Sequence, residues 1–91
     1  MSTAIFGLGK MGTTIAYAMK SLGHRITLVD TSKDVLDRVD ITADRIVTKD
    51  LVADARSIVE GKDIVISSLP YHATETLAKA CIDMSVPYCD L

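Results

Sequence analysis

The sequence predicts an α/β fold in which a doubly wound parallel sheet of five strands alternates with four helices. Two observations favour this fold. Short runs rich in β-branched residues alternate with runs of helical periodicity along all 91 residues. The first run is apolar and ends in glycine, which is typical of a central strand covered on both faces. Strict alternation with short connections favours right-handed crossovers and the strand order 3-2-1-4-5.

The chain begins with a strand, a helix and a second strand. Residues 3–7 (TAIFG) form the apolar first strand. Residues 10–22 carry apolar residues at helical spacing, and Gly23 suits the left-handed residue that ends a helix. Residues 25–30 (RITLVD) are rich in β-branched residues and predict the second strand, which closes on an acid.

The middle of the chain repeats this alternation. Residues 31–39 (TSKDVLDRV) predict a short helix whose first two residues, threonine and serine, can cap it. Residues 44–50 predict a weak third strand, and residues 51–61 a helix that ends at a glycine. Residues 62–70 (KDIVISSLP) predict a strong fourth strand with an apolar centre.

The chain closes with a helix over residues 71–84 and a strand over residues 86–91, where Pro87 is tolerable only near the strand's start. The long helices each have an apolar face that should be buried. These faces contain Ile15, Ala18, Met19 and Leu22; Val52, Ala55, Ile58 and Val59; and Leu77, Ala78, Cys81 and Ile82.

Composition and charge limit the classes of function. The chain is 48% apolar and 24% charged, which predicts one folded domain over residues 1–91. Its net charge of −2 and its singly scattered Lys and Arg residues argue against a nucleic-acid partner. No apolar run approaches the roughly 20 residues of a spanning helix, and no signal peptide is recognisable. We therefore expect a cytoplasmic protein without a membrane partner.

The two cysteines, Cys81 and Cys89, have neither C-x-x-C spacing nor histidine partners at zinc spacing. We expect both to be buried, reduced thiols, and we expect no metal site.

The stretch GLGKMG at residues 7–12 places three glycines between the first strand and the first helix. Gly7 allows a tight turn, Gly9 lets a phosphate approach the backbone, and Gly12 lets the helix pack close to the sheet. Asp30 follows Gly12 by 18 residues, close to the ~20 that places an acid on the adenosine ribose. A tight turn that binds nothing is the alternative. The combination favours a dinucleotide-binding (Rossmann) sheet.

The other residues of this region are less decisive. Leu8 and Thr31 are next to predicted cofactor-binding residues, and we expect them to contact the cofactor as well. Lys10 and Met11 could lean over the pyrophosphate, although a solvated lysine and a packing methionine are the expected states.

Two further segments should lie at the carboxyl edge of the sheet, where ligands of such folds bind. The loop Ser68, Leu69, Pro70 follows the fourth strand and is expected to wall the nicotinamide half of the site. His72 either reaches a substrate or simply starts the next helix. Asp50 and Leu51 follow the third strand and could border the adenine, although a helix cap is an equal interpretation of Asp50.

Four stretches together resemble the N-terminal domain of the saccharopine dehydrogenase-like family, a group that includes lysine 6-dehydrogenase and carboxynorspermidine dehydrogenase. They are AIFGLGKMG, LVD, DIVISSLPYHATETLAKACI and VPYCDL. The fourth strand with its Leu-Pro turn and the V-P-Y-x-D-L strand are more specific than the glycine motif. The resemblance covers essentially the whole chain.

The resemblance implies a pyridine-nucleotide oxidoreductase that acts on a C–N bond of an amino acid or imine. Family cofactor positions map onto Gly7, Gly9, Gly12, Asp30, Asp50 and the loop from Ser68 to Pro70. NAD is expected in preference to NADP, because the Asp30 carboxylate can accept bonds from ribose hydroxyls but meets a 2′-phosphate as a like charge.

Two departures from the family pattern matter. Family members often have Ala-Gly where this chain has Met84 and Ser85, so a left-handed Ser85 costs about 1 kcal/mol relative to glycine. Family members also continue beyond this point into a catalytic domain that binds the amino-acid substrate. The catalytic residues are therefore left unassigned, and the chain alone is expected to be inactive.

Two other functions stay open at this stage. One is a regulatory nucleotide-sensing module of the kind that gates potassium transporters, which also begins with a glycine-rich strand–helix unit. The other is a dimerisation domain that has lost its ligand. A homo-oligomer is compatible with both of these functions and with a dehydrogenase.

Overall fold

The computed structural model describes residues 1–91 and contains one sheet whose neighbouring strands are all parallel. The strands are β1 (Ser2–Phe6), β2 (Arg25–Asp30), β3 (Asp44–Val47), β4 (Ile64–Ser67) and β5 (Tyr88–Asp90). Their order across the sheet is β3-β2-β1-β4-β5, which confirms the predicted Rossmann order. Successive strands are added on one side of β1 up to β3 and on its other side from β4 onward. The carboxyl ends of β1 and β4 therefore mark the place where such sheets bind ligands.

The helices that connect the strands are α1 (Lys10–Ser21), α2 (Lys33–Asp37), α3 (Leu51–Val59) and α4 (Tyr71–Asp83). All nine elements occur in the predicted order along the chain. Several are shorter than predicted because their end residues form caps instead. At the start of α2, for example, the Ser32 hydroxyl accepts a hydrogen bond from the Val35 N–H at 3.3 Å.

Side chains of β1 alternate between two cores, one on each face of the sheet. Ala4 and Phe6 belong to the core formed with α3 and α4, and Ile5 belongs to the core formed with α1 and α2. All three are at most 1% exposed. Burial on both faces holds β1 rigidly, and β1 in turn fixes the start of the glycine loop that follows it.

The predicted apolar helix faces are confirmed in part. Ala55, Ile58, Val59, Leu77 and Cys81 are buried as expected. Leu22, Val52 and Ile82, each within two residues of the end of its helix, are more than 70% exposed. Ala18, in the middle of α1, is exposed as well, and Ala16 is buried in its place.

The two cysteines are free, but they differ in environment. Cys81 is buried in α4, and burial raises the pKa of its thiol, which keeps it protonated and unreactive. Cys89 is exposed, so the prediction that it is buried was wrong. It lies on the edge strand β5, where no strand pairs with the outer side.

Arg45, on β3, fastens the segment that joins α2 to β3. Its Nε donates to the carbonyl of Leu36 at 3.1 Å, and its Nη1 donates to Ala43 at 3.1 Å. Its Nη2 donates to Val39 at 2.6 Å and to Ile41 at 2.9 Å. One guanidinium thus binds four carbonyls of this turn, of which that of Leu36 also accepts from the Val39 N–H at 3.2 Å.

Ser85 follows α4 in the left-handed conformation, with φ of 56°, as the sequence comparison with the family implied. Its N–H donates to the Ile82 carbonyl at 3.2 Å and closes the helix end. Since glycine adopts this conformation without steric cost, we expect Ser85→Gly to raise the free energy of unfolding by about 1 kcal/mol. Chemical denaturation measures the change.

A serine-to-glycine substitution inside a helix is the matched control for that measurement. Ser57 is exposed within α3, and Ser57→Gly should lower stability because glycine is a poor helix former. If Ser85→Gly also lowered stability, the left-handed strain at this position would be disproved.

Candidate functional site

The glycine loop between β1 and α1 contains two glycines that the fold itself requires. Gly7 has φ of 89°, and its N–H donates to the Val29 carbonyl at 2.8 Å. A Cβ on Gly7 would lie 2.8 Å from the Ser68 carbonyl oxygen. A Cβ on Gly12 would lie only 1.9 Å from the Gly7 carbonyl oxygen. No larger side chain fits at either position without moving the backbone.

Gly9 differs from its two neighbours in the motif. Its φ of −71° is open to any residue, and a Cβ built there meets nothing within 4 Å. The fold therefore does not need glycine at position 9. Glycine at this position leaves the backbone at the start of α1 uncovered. The helix start has no side-chain cap and no acidic residue in its first turn. The unpaired N–H groups of a helix start at that place suit an anion.

Asp30, at the carboxyl end of β2, is tied to this loop. Its Oδ2 accepts a hydrogen bond from the Leu8 N–H at 2.8 Å, and its Oδ1 accepts one from the Ser32 N–H at 3.1 Å. A carboxylate has about four lone-pair positions, so each oxygen can accept a further donor. Asp30 is half-buried, which leaves it accessible to one.

A cleft of about 390 Å³, here called the main cleft, opens at the carboxyl ends of the strands. Its walls come from the glycine loop, the end of β2, the turn after β3 and the turn after β4. The lining residues are Phe6, Gly7, Gly9, Val29, Asp30, Thr31, Thr48, Lys49, Leu51, Ser68, Leu69, Pro70, His72 and Ala73. The cleft is lined by both apolar and polar residues, which suits a ligand that has polar groups and an apolar ring.

A second groove, of about 590 Å³, lies on the other side of Gly9 and Asp30. Helices α1 and α2 form its walls. Its lining residues are Leu8, Gly9, Lys10, Thr13, Thr14, Asp30, Val35, Arg38 and Val39. Gly9 and Asp30 thus separate the two spaces and face both of them.

The loop after β4 closes the far end of the main cleft. The Ser68 N–H donates to the Phe6 carbonyl at 2.8 Å, and the Leu69 N–H donates to the Ser67 hydroxyl at 3.3 Å. These bonds hold the loop against β1. His72, in the first turn of α4, lines the cleft, whereas Tyr71 is 96% exposed and lies outside it.

The structure brings eight of the thirteen predicted cofactor-binding residues to the main cleft and places five elsewhere. Leu8 and Lys10 line the second groove but not the main cleft. The Asp50 carboxylate caps α3 by accepting from the Ala53 N–H at 3.1 Å. Met11 is 58% exposed and lies on α1, away from the cleft. Gly12 packs against the Gly7 carbonyl, so its part in the site is to bring the helix close.

Sequence reasoning missed two cleft residues on the turn after β3. Lys49 lines the main cleft, and its Nζ donates to the Thr31 carbonyl. Thr48 is buried, and its hydroxyl donates to the Asp54 carboxylate at 2.5 Å. The strand predicted over residues 44–50 ends earlier, at Val47, so these two residues belong to the turn. Their position near the carboxyl end of the predicted strand was the available signal, because the carboxyl ends of all parallel strands meet at one edge.

A family model described as the saccharopine dehydrogenase NADP binding domain matches residues 3–91. The chain belongs to this family. It is an NAD(P)-binding Rossmann domain of the saccharopine dehydrogenase type, as its sequence resemblance indicated. No curated protein sequence matches the chain significantly.

Solved structures share the fold of this saccharopine dehydrogenase-type domain. Apo saccharopine dehydrogenase (L-Glu forming) from Saccharomyces cerevisiae is 14% identical with a TM-score of 0.81, over 98% of this chain and 21% of that one. A nucleoside-diphosphate-sugar epimerase from Pseudomonas aeruginosa is 24% identical with a TM-score of 0.80, over 97% of this chain and 32% of that one. This chain therefore spans about a fifth to a third of their length.

A third similar structure is the Kef C-terminal domain of Shewanella denitrificans in its AMP-bound form. It is 14% identical with a TM-score of 0.72, and the match covers 99% of this chain and 57% of that chain. No helix of the saccharopine dehydrogenase-type domain has the length and hydropathy needed to cross a membrane.

Proposed function

We propose that the chain is the cofactor-binding part of a dehydrogenase that acts on the C–N bond of an amino acid or imine. The observation that carries this proposal is Gly9. Gly7 and Gly12 are explained by the fold, but Gly9 is not, since a side chain there would meet nothing within 4 Å. A bare helix start beside a cleft is what a pyrophosphate needs.

The residues of the main cleft fit a dinucleotide along its whole length. The pyrophosphate would lie over Gly9, the adenosine ribose on Asp30, and the adenine near Thr31 and Leu51. The nicotinamide would then lie by the loop from Ser68 to Pro70. When bound, the nicotinamide supplies hydride transfer, and the residues of this chain position it and cover one of its faces.

Catalysis requires a second wall, because the substrate must be positioned and water excluded. We propose that a further domain, with the amino-acid-binding groups, supplies that wall, and that the chain alone binds the cofactor without turnover. The 21% coverage of the yeast enzyme supports a domain of this kind. His72 is the histidine of this chain that faces the cleft, at the end assigned to the nicotinamide.

We propose NAD as the preferred cofactor. The Asp30 oxygens already accept from Leu8 and Ser32, and their remaining lone pairs can accept the two ribose hydroxyls of NAD. The 2′-phosphate of NADP removes one of these donors and places a like charge near the carboxylate. Two unit charges about 4 Å apart in a partly exposed site repel by a few kcal/mol at most, so the preference is a matter of degree.

Gly9→Val tests the proposed cradle directly. The branched side chain would fill the space over the helix start and should abolish detectable NAD binding by the purified chain in titration calorimetry. The fold should be unaffected, because residue 9 has a φ that valine tolerates and free space around it. Thermal unfolding of the variant confirms that the domain is intact.

Ser21→Val is the matched control, since Ser21 is exposed at the opposite end of the same helix. It should bind NAD as the wild type does. Equal NAD binding by Gly9→Val and by the wild type would show that the glycine loop does not hold the cofactor.

A nucleotide-sensing module is the second candidate function. Its support is the likeness to the AMP-bound Kef C-terminal domain, which covers 99% of this chain. The same calorimetry separates the two candidates. A domain that binds AMP at least as tightly as NAD favours the sensor, whereas a clear gain in affinity from the nicotinamide half favours the dehydrogenase.

A further inference from the structure

We propose that Arg38 is a specificity-determining residue, which limits discrimination against NADP by placing a cation where a 2′-phosphate would lie. This inference rests on the proposed function, because it assumes that the adenosine ribose sits on Asp30. The second groove would then bind the 2′-phosphate of NADP, whereas the glycine motif and the main cleft would bind the parts that NAD and NADP share.

The argument begins with the boundary between the two spaces. Gly9 and Asp30 line both the main cleft and the second groove. A ribose held by Asp30 therefore sits on that boundary, with the rest of the dinucleotide running along the main cleft. A phosphate added to the 2′ oxygen next to Asp30 has the second groove, of about 590 Å³, beside it.

The groove contains two cations, Lys10 and Arg38, and one carboxylate, Asp30. Neither cation forms an ion pair, since the three salt bridges of the structure involve other residues. Lys10 is the first residue of α1, at the helix start proposed for the pyrophosphate, so it would favour NAD and NADP alike. Arg38 follows α2, on the other wall of the groove, and can therefore distinguish the two.

Lys33 is the cation nearest to Asp30 in the sequence, but its geometry is unsuitable. Its Nζ lies 2.7 Å from the Asp37 carboxylate, and this contact raises the pKa of the lysine. It does not line the second groove. An anion in the second groove would thus find an unpaired guanidinium at position 38, whereas the ammonium of Lys33 is already paired with Asp37 and Lys49 lines only the main cleft.

Guanidinium and phosphate match in geometry, because the planar fork can donate two hydrogen bonds to two phosphate oxygens. Asp30 and Arg38 therefore act in opposite directions on the same phosphate. Asp30 sets the preference for NAD, and Arg38 keeps NADP binding within measurable range.

Calorimetric titration of the 91-residue chain with NAD and with NADP tests the proposal. We expect Arg38→Gln to weaken NADP binding about tenfold or more, through the loss of the charged hydrogen bonds of its guanidinium, and to leave NAD binding unchanged. Added salt should weaken NADP binding more than NAD binding in the wild type, and this difference should shrink in Arg38→Gln.

Lys33→Gln is the matched control, because it removes a cation from the same short helix and should change neither affinity. An equal loss of NAD and NADP binding in Arg38→Gln, an unchanged affinity for NADP, or the same NADP loss in Lys33→Gln would each overturn the assignment. These results leave the proposed function intact as long as the wild type binds NAD. Absence of NAD binding to the wild type would refute both.

Discussion

Gly12→Ala should lower the free energy of unfolding by about 3–5 kcal/mol, a large part of the stability of a domain this small. The added methyl group would lie 1.9 Å from the Gly7 carbonyl oxygen, which is backbone and cannot rotate away. Relief requires α1 to move off the sheet, and that movement would separate Ala16 from the core that it shares with Ile5. Chemical denaturation of the purified variant measures the loss.

Gly9→Ala provides the comparison within the same motif. Its methyl group would meet nothing within 4 Å, but Gly9 is the N-cap of α1, where glycine is favoured over alanine, so stability should fall by about 1 kcal/mol at most. Similar stabilities for Gly12→Ala and Gly9→Ala would contradict the close packing of α1 on the loop.

Asp30→Ala should remove most of the preference for NAD. The variant loses the acceptor for the ribose hydroxyls and the charge that opposes a 2′-phosphate, so the ratio of NAD to NADP affinity should fall by about tenfold or more. NAD binding itself should weaken, whereas NADP binding should change less. Parallel calorimetric titrations with the two cofactors give both numbers.

Asp30→Asn separates the direct contact from the shape of the loop. The amide oxygen can still accept from the Leu8 N–H, but the amide nitrogen cannot accept from the Ser32 N–H, while the like charge near the phosphate is gone. This variant should gain affinity for NADP and lose about 1 kcal/mol of stability through the broken Ser32 bond. A ratio unchanged in both variants would mean that Asp30 does not touch the ribose.

The order of the elements could be predicted because the sequence alternates cleanly between two kinds of periodicity. Two runs clearly predict strands: the apolar run that ends at Gly7 and the β-branched run over residues 25–30. The position of Asp30 followed from the same reasoning, since it is the last residue of β2. Patterns of this kind depend only on residues that are neighbours in the sequence, so the sequence alone reveals them.

What the sequence did not reveal depends on which elements lie opposite one another. Arg38, Arg45 and Lys49 are single charges in a chain whose Lys and Arg residues are scattered, and nothing local distinguishes them. Their partners are carbonyls and grooves formed by other segments. The exposure of Val52 likewise depends on how the first turn of α3 is placed against its neighbours, which helical periodicity does not encode.

The Arg45 contacts have a consequence for how the domain opens. The four carbonyls that share this guanidinium, from Leu36 to Ala43, cannot be released separately once the side chain leaves. The turn between α2 and β3 should therefore behave as one cooperative unit of local unfolding rather than as a frayed loop. Since β3 pairs with the strand that carries Asp30, each such opening would loosen the neighbouring edge of the sheet. Slow amide hydrogen exchange across the turn, with one common opening rate, is the signature of that unit.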